Sequence, residues 1–206
     1  TGARLVAESG QPDQHIWYAY DDQGTRVRRS TGSSASAQQS PDSSLSYLTD
    51  YQNPTGYSQT LAEQDPLQTT AERQYAWGTD LLAQQSADGA TVFAHQDHLG
   101  TLRLLTSAGG SAGTSGAPIP GSAWNYHPFG TLNPGGGTAA GLSPYKFTGQ
   151  YADGLMALQY HRARWLNTGR GAWSSVDPVL DWPGNFGNTM LYGAANPANC
   201  DDNSGL

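Results

Sequence analysis

His15-Ile16-Trp17-Tyr18-Ala19-Tyr20, then Asp21-Asp22-Gln23-Gly24, then Thr25-Arg26-Val27-Arg28 reads as a strand, a tight turn and a returning strand. Aromatic and β-branched residues suit a pleated, half-buried surface, and an Asp/Gly-rich tetrapeptide between two such runs is a hairpin signal. The same grammar recurs at Gln74–Trp77 before Gly78, at Leu81–Gln85 with Asp88-Gly89 and Ala90–Phe93, and at Trp124–Tyr126 with Pro128-Phe129-Gly130-Thr131-Leu132. Repetition of this kind implies neighbouring hairpins that share a buried face none could bury alone. Tyr20, Tyr75 and Tyr126 are accordingly read as packing residues before ligand contacts, since a tyrosine ring packs while its hydroxyl finds a partner. Three stretches, Ser30–Ser44, Ser107–Ala123 and Asn133–Pro144, are rich in small polar residues, Gly and Pro and are expected as long surface loops. The fold class expected is all-β and antiparallel, with residues 1–144 as a repeat region and 145–206 as a separate C-terminal domain.

Composition narrows the function. The chain has 206 residues, 26 of them Gly and 12 Pro, and only 36% are hydrophobic, so long amphipathic helices are excluded while a sizeable core is still affordable. No apolar run approaches the ~20 residues that cross a bilayer, so no membrane span is expected. Ten basic against 17 acidic residues give a net charge of −7, which disfavours nucleic acid as a partner because such affinity comes mainly from clustered Lys and Arg. A single cysteine, Cys200, rules out an internal disulfide framework and a zinc ribbon. The first residue is Thr1 rather than Met, and the chain is expected to be a processed or trimmed piece of something longer.

Read in order, these motifs resemble the YD repeats of Rhs and teneurin-like proteins. Tyr20-Asp21-Asp22-Gln23-Gly24-Thr25-Arg26-Val27 looks like the repeat itself, Phe93–Leu105 like the family's His-x-Asp-His-Leu-Gly-Thr-x-Arg signature, and Trp124–Leu132 like its Tyr-x-Pro-Phe/Trp-Gly sequel. Lys146–Tyr151, Gly154-Leu155, Tyr160–Trp165, Gly169-Arg170, Ser175–Pro178, Asn185–Tyr192 and Asn196-Pro197 follow the order of the Rhs repeat-associated core domain. The resemblance implies a fragment of an Rhs-type β-shell with a C-terminal plug, from an exported bacterial protein, secreted or at the cell surface. Its partners would be the remainder of its own shell or copies of itself, and a C-terminal effector polypeptide. The family's core ends in Asp-Pro-x-Gly-Leu, after which the protein cleaves itself; here the corresponding residues are Asp202-Asn203-Ser204-Gly205-Leu206.

Peptide hydrolysis by carboxylates needs one ionised group to activate water and one protonated group to polarise the carbonyl or protonate the leaving amine, roles that a close pair can divide. Asp177 and Asp202 are the natural pair, and the resemblance adds Arg164, which aligns with an Arg that joins the family's two acids. Asp177 precedes Pro178, which favours an extended or turn conformation at the Asp. Gly205 would ease a fold-back that brings the Leu206 carbonyl, the expected cleavage site, toward both acids. The enzyme expected is at most a single-turnover aspartyl-type autoprotease, with no cofactor and no metal. An Asp in such sequences is also commonly a plain turn residue. Three departures from the family stand nearby: Asn203 for a Pro, Asn167 for an Asp, and Trp165-Leu166 for an aromatic pair. Asp201 is adjacent and could substitute for Asp202.

Weaker candidates complete the reading. His95 and His98 lie on an expected strand and turn rather than on one metal-binding helical face. Cys200 with His161 or His127 could form a thiol nucleophile, although a small half-buried cysteine is the simpler account. Arg162, Arg164 and Arg170, with Asp153, Asp177 and Asp181 near in sequence, read as internal ion pairing. Two further functional classes remain at this point: a non-catalytic extracellular structural or adhesive β-protein, and a carbohydrate-binding β-domain with exposed Trp residues as its platform.

Overall fold

A computed structural model describes residues 3–6, 15–34, 41–109, 116–154, 156–179 and 188–206. Thirteen strands lie among the described residues, with only short 3-10 turns besides, and every strand pairing detailed below is antiparallel. No helix among those residues is long and apolar enough to cross a membrane. The chain divides into two compact units, residues 1–79 with 85–90, and residues 80–84 with 91–206.

The first unit contains β1 (Ala3–Val6), β2 (His15–Tyr20), β3 (Arg26–Gly32), β4 (Ser43–Asp50), β5 (Gln59–Gln64) and β6 (Arg73–Trp77), each paired with the next in chain order. The strand read from His15–Tyr20 is β2, and its consecutive Ile16, Trp17 and Tyr18 are all buried, so both of its faces are dry. The guanidinium of buried Arg26 lies 4.1 Å from the Tyr47 ring centre and 5.7 Å from that of Tyr18. Glu63, 1% exposed, accepts a hydrogen bond from Tyr75 Oη at 2.7 Å and faces Arg73 Nη1 at 3.8 Å, which compensates burial of its charge.

The turns recur as the sequence suggested. At 21–25, 86–90, 97–101 and 127–131 the first residue's N–H donates to the fifth residue's carbonyl, and a glycine in fourth place donates back to the first residue's carbonyl. Those glycines, Gly24, Gly89, Gly100 and Gly130, have φ of +79°, +83°, +75° and +91°. A type I turn closed by a left-handed residue and a bulge is a standard three-residue hairpin loop, and only glycine adopts that φ without steric cost. Asp21 and Asp97 add side-chain caps, each Oδ1 accepting from the N–H groups two and four residues on. Asp97 Oδ2 also takes a forked pair of bonds from Arg103, Nε at 2.9 Å and Nη2 at 2.8 Å.

β7 (Leu81–Ser86) is divided between the units at residue 84. In the second unit β8 (Thr91–Gln96) pairs with β9 (Leu102–Ser107), and β10 (Tyr151–Asp153), β11 (Leu158–His161), β12 (Arg164–Asn167) and β13 (Ala172–Trp173) form a four-stranded sheet in that order. Leu102, Leu105 and Trp124 form one core cluster; Phe147, Leu166, Trp173 and Tyr192 form another, and Tyr126 packs against both.

Several expectations are corrected. The strands expected on either side of Pro128 reduce to a single bridge, Tyr126 to Leu132, because the Trp124 N–H is committed to the Arg103 carbonyl at 2.8 Å and its ring to the Leu102–Leu105 core. The stretch Ser30–Ser44 contributes strand at both ends, with Ser30 Oγ and Ser44 Oγ 2.7 Å apart; its residues 35–40 lie outside the described residues. Residues 116–123 form no strand, and 116, 118, 120 and 123 are exposed as a surface loop would be, but the stretch is tied down at two points: Ile119 N–H donates to the Leu105 carbonyl, and Ser122, fully buried, exchanges bonds with both the N–H and the carbonyl of Leu105. The residue 137 N–H likewise bonds the Ala123 carbonyl at 2.6 Å. Small residues here let backbone pack on backbone, which leaves no apolar pattern to read. Of the tryptophans offered as a platform, Trp17, Trp124, Trp165 and Trp173 are buried, Trp77 is half-buried, and Trp182 lies outside the described residues. Asp181 lies outside the described residues.

Candidate functional site

The site grows from the hairpin of β11 and β12. Its strands pair with His161 opposite Arg164 and Gln159 opposite Leu166, so these four side chains share one face of the sheet. β13 adds Trp173 opposite Leu166 on that face. Only Arg162 and Ala163 connect the strands, and Arg162 takes φ +62°, a left-handed conformation that costs a non-glycine residue about 1 kcal/mol or more. Arg162 is held there by bonds from Nη1 to Gln150 Oε1 at 3.0 Å and to the Asn203 carbonyl.

Arg164 is 3% exposed, and its guanidinium lies 4.2 Å from the Trp173 ring centre. Nη2 contacts two carboxylates at once, Asp177 Oδ2 at 3.0 Å and Asp202 Oδ2 at 3.2 Å. Nη1 donates to the Thr189 carbonyl at 3.3 Å and Nε to the Gly205 carbonyl at 2.6 Å. Burial pushes the guanidinium below its usual range, and the two carboxylates counter that shift.

Asp177 reaches the site on the segment after β13, where its N–H donates to the same Thr189 carbonyl at 3.0 Å. Its Oδ1 accepts from Val179 N–H at 2.8 Å, closing a turn over Pro178. Asp202 binds its own chain: Oδ1 accepts from Ser204 Oγ at 3.0 Å, Gly205 N–H at 2.8 Å and Leu206 N–H at 3.3 Å. The chain folds back over Asp202 through Gly205, whose φ is +71°, and the groups it brings to that carboxylate are the Gly205 and Leu206 N–H. Asp201 is exposed and accepts from Asn203 Nδ2 at 2.7 Å, so Asp202 alone of the two meets Arg164. The departures from the family pattern find local roles. Asn203 Oδ1 accepts from Gln150 Nε2 at 2.5 Å, Asn167 Oδ1 accepts from Arg170 N–H at 3.0 Å, and Leu166 is fully buried. Of the alternative histidines, His95 Nε2 meets Thr106 Oγ1 at 2.9 Å.

Sequence reading missed the role of His161. It is fully buried between Trp173 and Tyr192, with ring centres 5.1 Å and 5.7 Å away in edge-to-face contact. Its Nδ1 lies 2.8 Å from the Asp202 carbonyl oxygen, which makes Nδ1–H the donor, and Nε2 has no hydrogen-bond partner among the described residues. Burial, with Arg162 and Arg164 adding to it, lowers the imidazole to about 3 despite the opposing bond to Asp202. The side chain is thus neutral in the fold, and no sequence pattern signals a buried donor whose acceptor lies 41 residues away. Between pH 6.5 and about 3 the unfolded chain binds a proton here that the folded chain refuses. Stability present above pH 6.5 is therefore lost on acidification through this window, by up to about 1.4 kcal/mol per pH unit. His161→Asn, whose Nδ2 can replace the Nδ1 donor, is expected to flatten the acid limb of urea-unfolding stability between pH 6.5 and 3; an unchanged slope would count against a buried neutral imidazole.

Comparison with known proteins bears on the fold. The chain is similar to solved structures of TcdB2–TccC3, at 19% identity and a TM-score of 0.64 over 100% of this chain and 10% of that one. A TcdB2–TccC3 structure without its hypervariable C-terminal region matches at 18% identity and a TM-score of 0.62, over 98% of this chain and 9% of that one. A Photorhabdus luminescens Tc holotoxin pore carrying a TccC3 mutation matches at 18% identity and a TM-score of 0.65, over 100% and 9%. No family model and no curated protein matches the chain. The likeness shows that the antiparallel all-β fold is shared with those structures, and the chain spans about a tenth of the length of the structures it matches.

Proposed function

We propose that this chain is part of an Rhs-type shell that encloses a C-terminal effector outside the bacterial cell and releases it by cutting its own backbone after Leu206. The observation that carries the reading is Arg164: one buried guanidinium touches Asp177 and Asp202 with Nη2 while its Nε holds the Gly205 carbonyl, one residue before the bond to be cut. That arrangement collects two carboxylates and the substrate backbone in one place without a binding step, so positioning supplies most of the rate. In the reaction, water oxygen bonds to the Leu206 carbonyl carbon and the carbon–nitrogen bond breaks. The two acids between them accept the proton that water loses and return one to the leaving nitrogen. The likeness to TcdB2–TccC3 supports the shell, whose remainder would be supplied by the same longer protein or by other copies, and export follows from that role.

The test is a chain extended by a reporter domain beyond Leu206, followed by intact-mass measurement. Wild type is expected to yield a product ending in Leu206, and Asp177→Asn or Asp202→Asn to slow the cut by about 10²–10⁴-fold. Cleavage that survives both substitutions would sink the mechanism, and an intact wild type would leave a structural or adhesive β-protein.

A further inference from the structure

The hairpin turn and the terminal segment meet in a regular way. His161 Nδ1 bonds the Asp202 carbonyl at 2.8 Å, Arg162 Nη1 bonds the Asn203 carbonyl, Ala163 N–H bonds the Ser204 carbonyl at 3.1 Å, and Arg164 Nε bonds the Gly205 carbonyl at 2.6 Å. Four successive residues donate to four successive carbonyls, always 41 positions ahead. Every acceptor is main chain, so the contact reads the position of the backbone and not the identity of the side chains. Leu206 as a residue, in contrast, is 55% exposed.

We propose that residues 161–164 form a register clamp that selects the bond to be cut by its distance along the backbone from the clamped carbonyls, rather than by recognition of the leucine side chain. The inference rests on the cleavage reading above and adds what sets its position. With carbonyls 202–205 pinned, the Leu206 N–H is held 3.3 Å from Asp202 Oδ1, so the next peptide carbonyl in the chain begins within one residue of that carboxylate. His161, Arg162 and Ala163 act here as positioning residues, because they touch the substrate strand away from the reacting carbonyl.

The decisive variant inserts one alanine between Gly205 and Leu206 in the extended, reporter-bearing chain. The clamp is untouched, and the cut is expected to move to the bond after the inserted alanine, giving a product that ends in alanine. A product ending in leucine, or loss of cleavage while wild type still cuts, overturns the clamp and leaves the cleavage reading intact. An uncut wild type overturns the cleavage reading instead. The clamp itself is then judged by hydrogen exchange of the Ala163 amide in the 206-residue chain. Protection that disappears on deleting residues 202–206 supports it, and exchange indifferent to that deletion overturns it.

Discussion

Replacing Arg164 by methionine is expected to destabilise the second unit by about 3–5 kcal/mol, the usual cost of stripping the cation from buried acids. Asp177 is 2% exposed and Asp202 meets the same guanidinium nitrogen, so the substitution leaves two like charges facing each other without their counter-ion. For a chain of this size that loss corresponds to a fall in Tm on the order of 10 °C. The readout is thermal unfolding followed by near-UV circular dichroism, to which the buried Trp124, Trp165, Trp173 and Tyr192 of this unit contribute. Arg164→Lys is expected to recover only a minor part, because one ammonium cannot reach Thr189, Gly205 and both carboxylates as the forked guanidinium does. Packing over Trp173 is separated from charge by the triple variant with Asp177→Asn and Asp202→Asn, which is expected to regain more than half of the loss. A loss below about 1 kcal/mol for the single variant would mean that the pair of acids is solvated rather than held by Arg164.

Gly205→Ala is expected to detach the terminal segment. A Cβ at this position would lie 2.3 Å from the His161 carbonyl oxygen and 2.8 Å from the Arg164 nitrogen, both backbone atoms that cannot move without opening the hairpin. The left-handed φ of +71° adds about 1 kcal/mol for any residue with a Cβ. Gly56→Ala is the control, since its φ is +74° but nothing among the described residues lies within 4 Å of the added carbon. The control is expected to cost only the conformational term. Gly205→Ala is expected to release all four clamped carbonyls, to expose the Ala163 amide to rapid exchange, and to slow cleavage of the extended chain at least about 100-fold, as for loss of positioning. Equal behaviour of the two variants in amide exchange and cleavage would show that the close approach at Gly205 is not what holds the segment.

How much of this was legible in the chain depends on distance along it. The hairpin turns were, because an Asp or Ser followed three residues later by Gly closes its own hydrogen bonds locally, and 21–25, 86–90 and 97–101 behave alike. The strand at His15–Tyr20 was legible from its aromatic and β-branched residues. Asp177, Asp202 and Arg164 were singled out through a resemblance in motif order, and the fold does bring them within bonding distance of one another. The small-residue stretches were legible only in part, because the bonds that tie residues 119 and 122 to Leu105 run through backbone groups and a serine hydroxyl, which look the same in sequence as a solvated loop.

Local chemistry therefore determined the turns, the strands and the all-β class, since each depends on groups only a few residues apart. Tertiary structure alone decided that His161 is a neutral donor, that Asp202 rather than Asp201 faces Arg164, and that residues 161–164 stand opposite carbonyls 202–205. Those outcomes turn on which backbone groups meet across 41 residues and on how completely water is excluded where they meet.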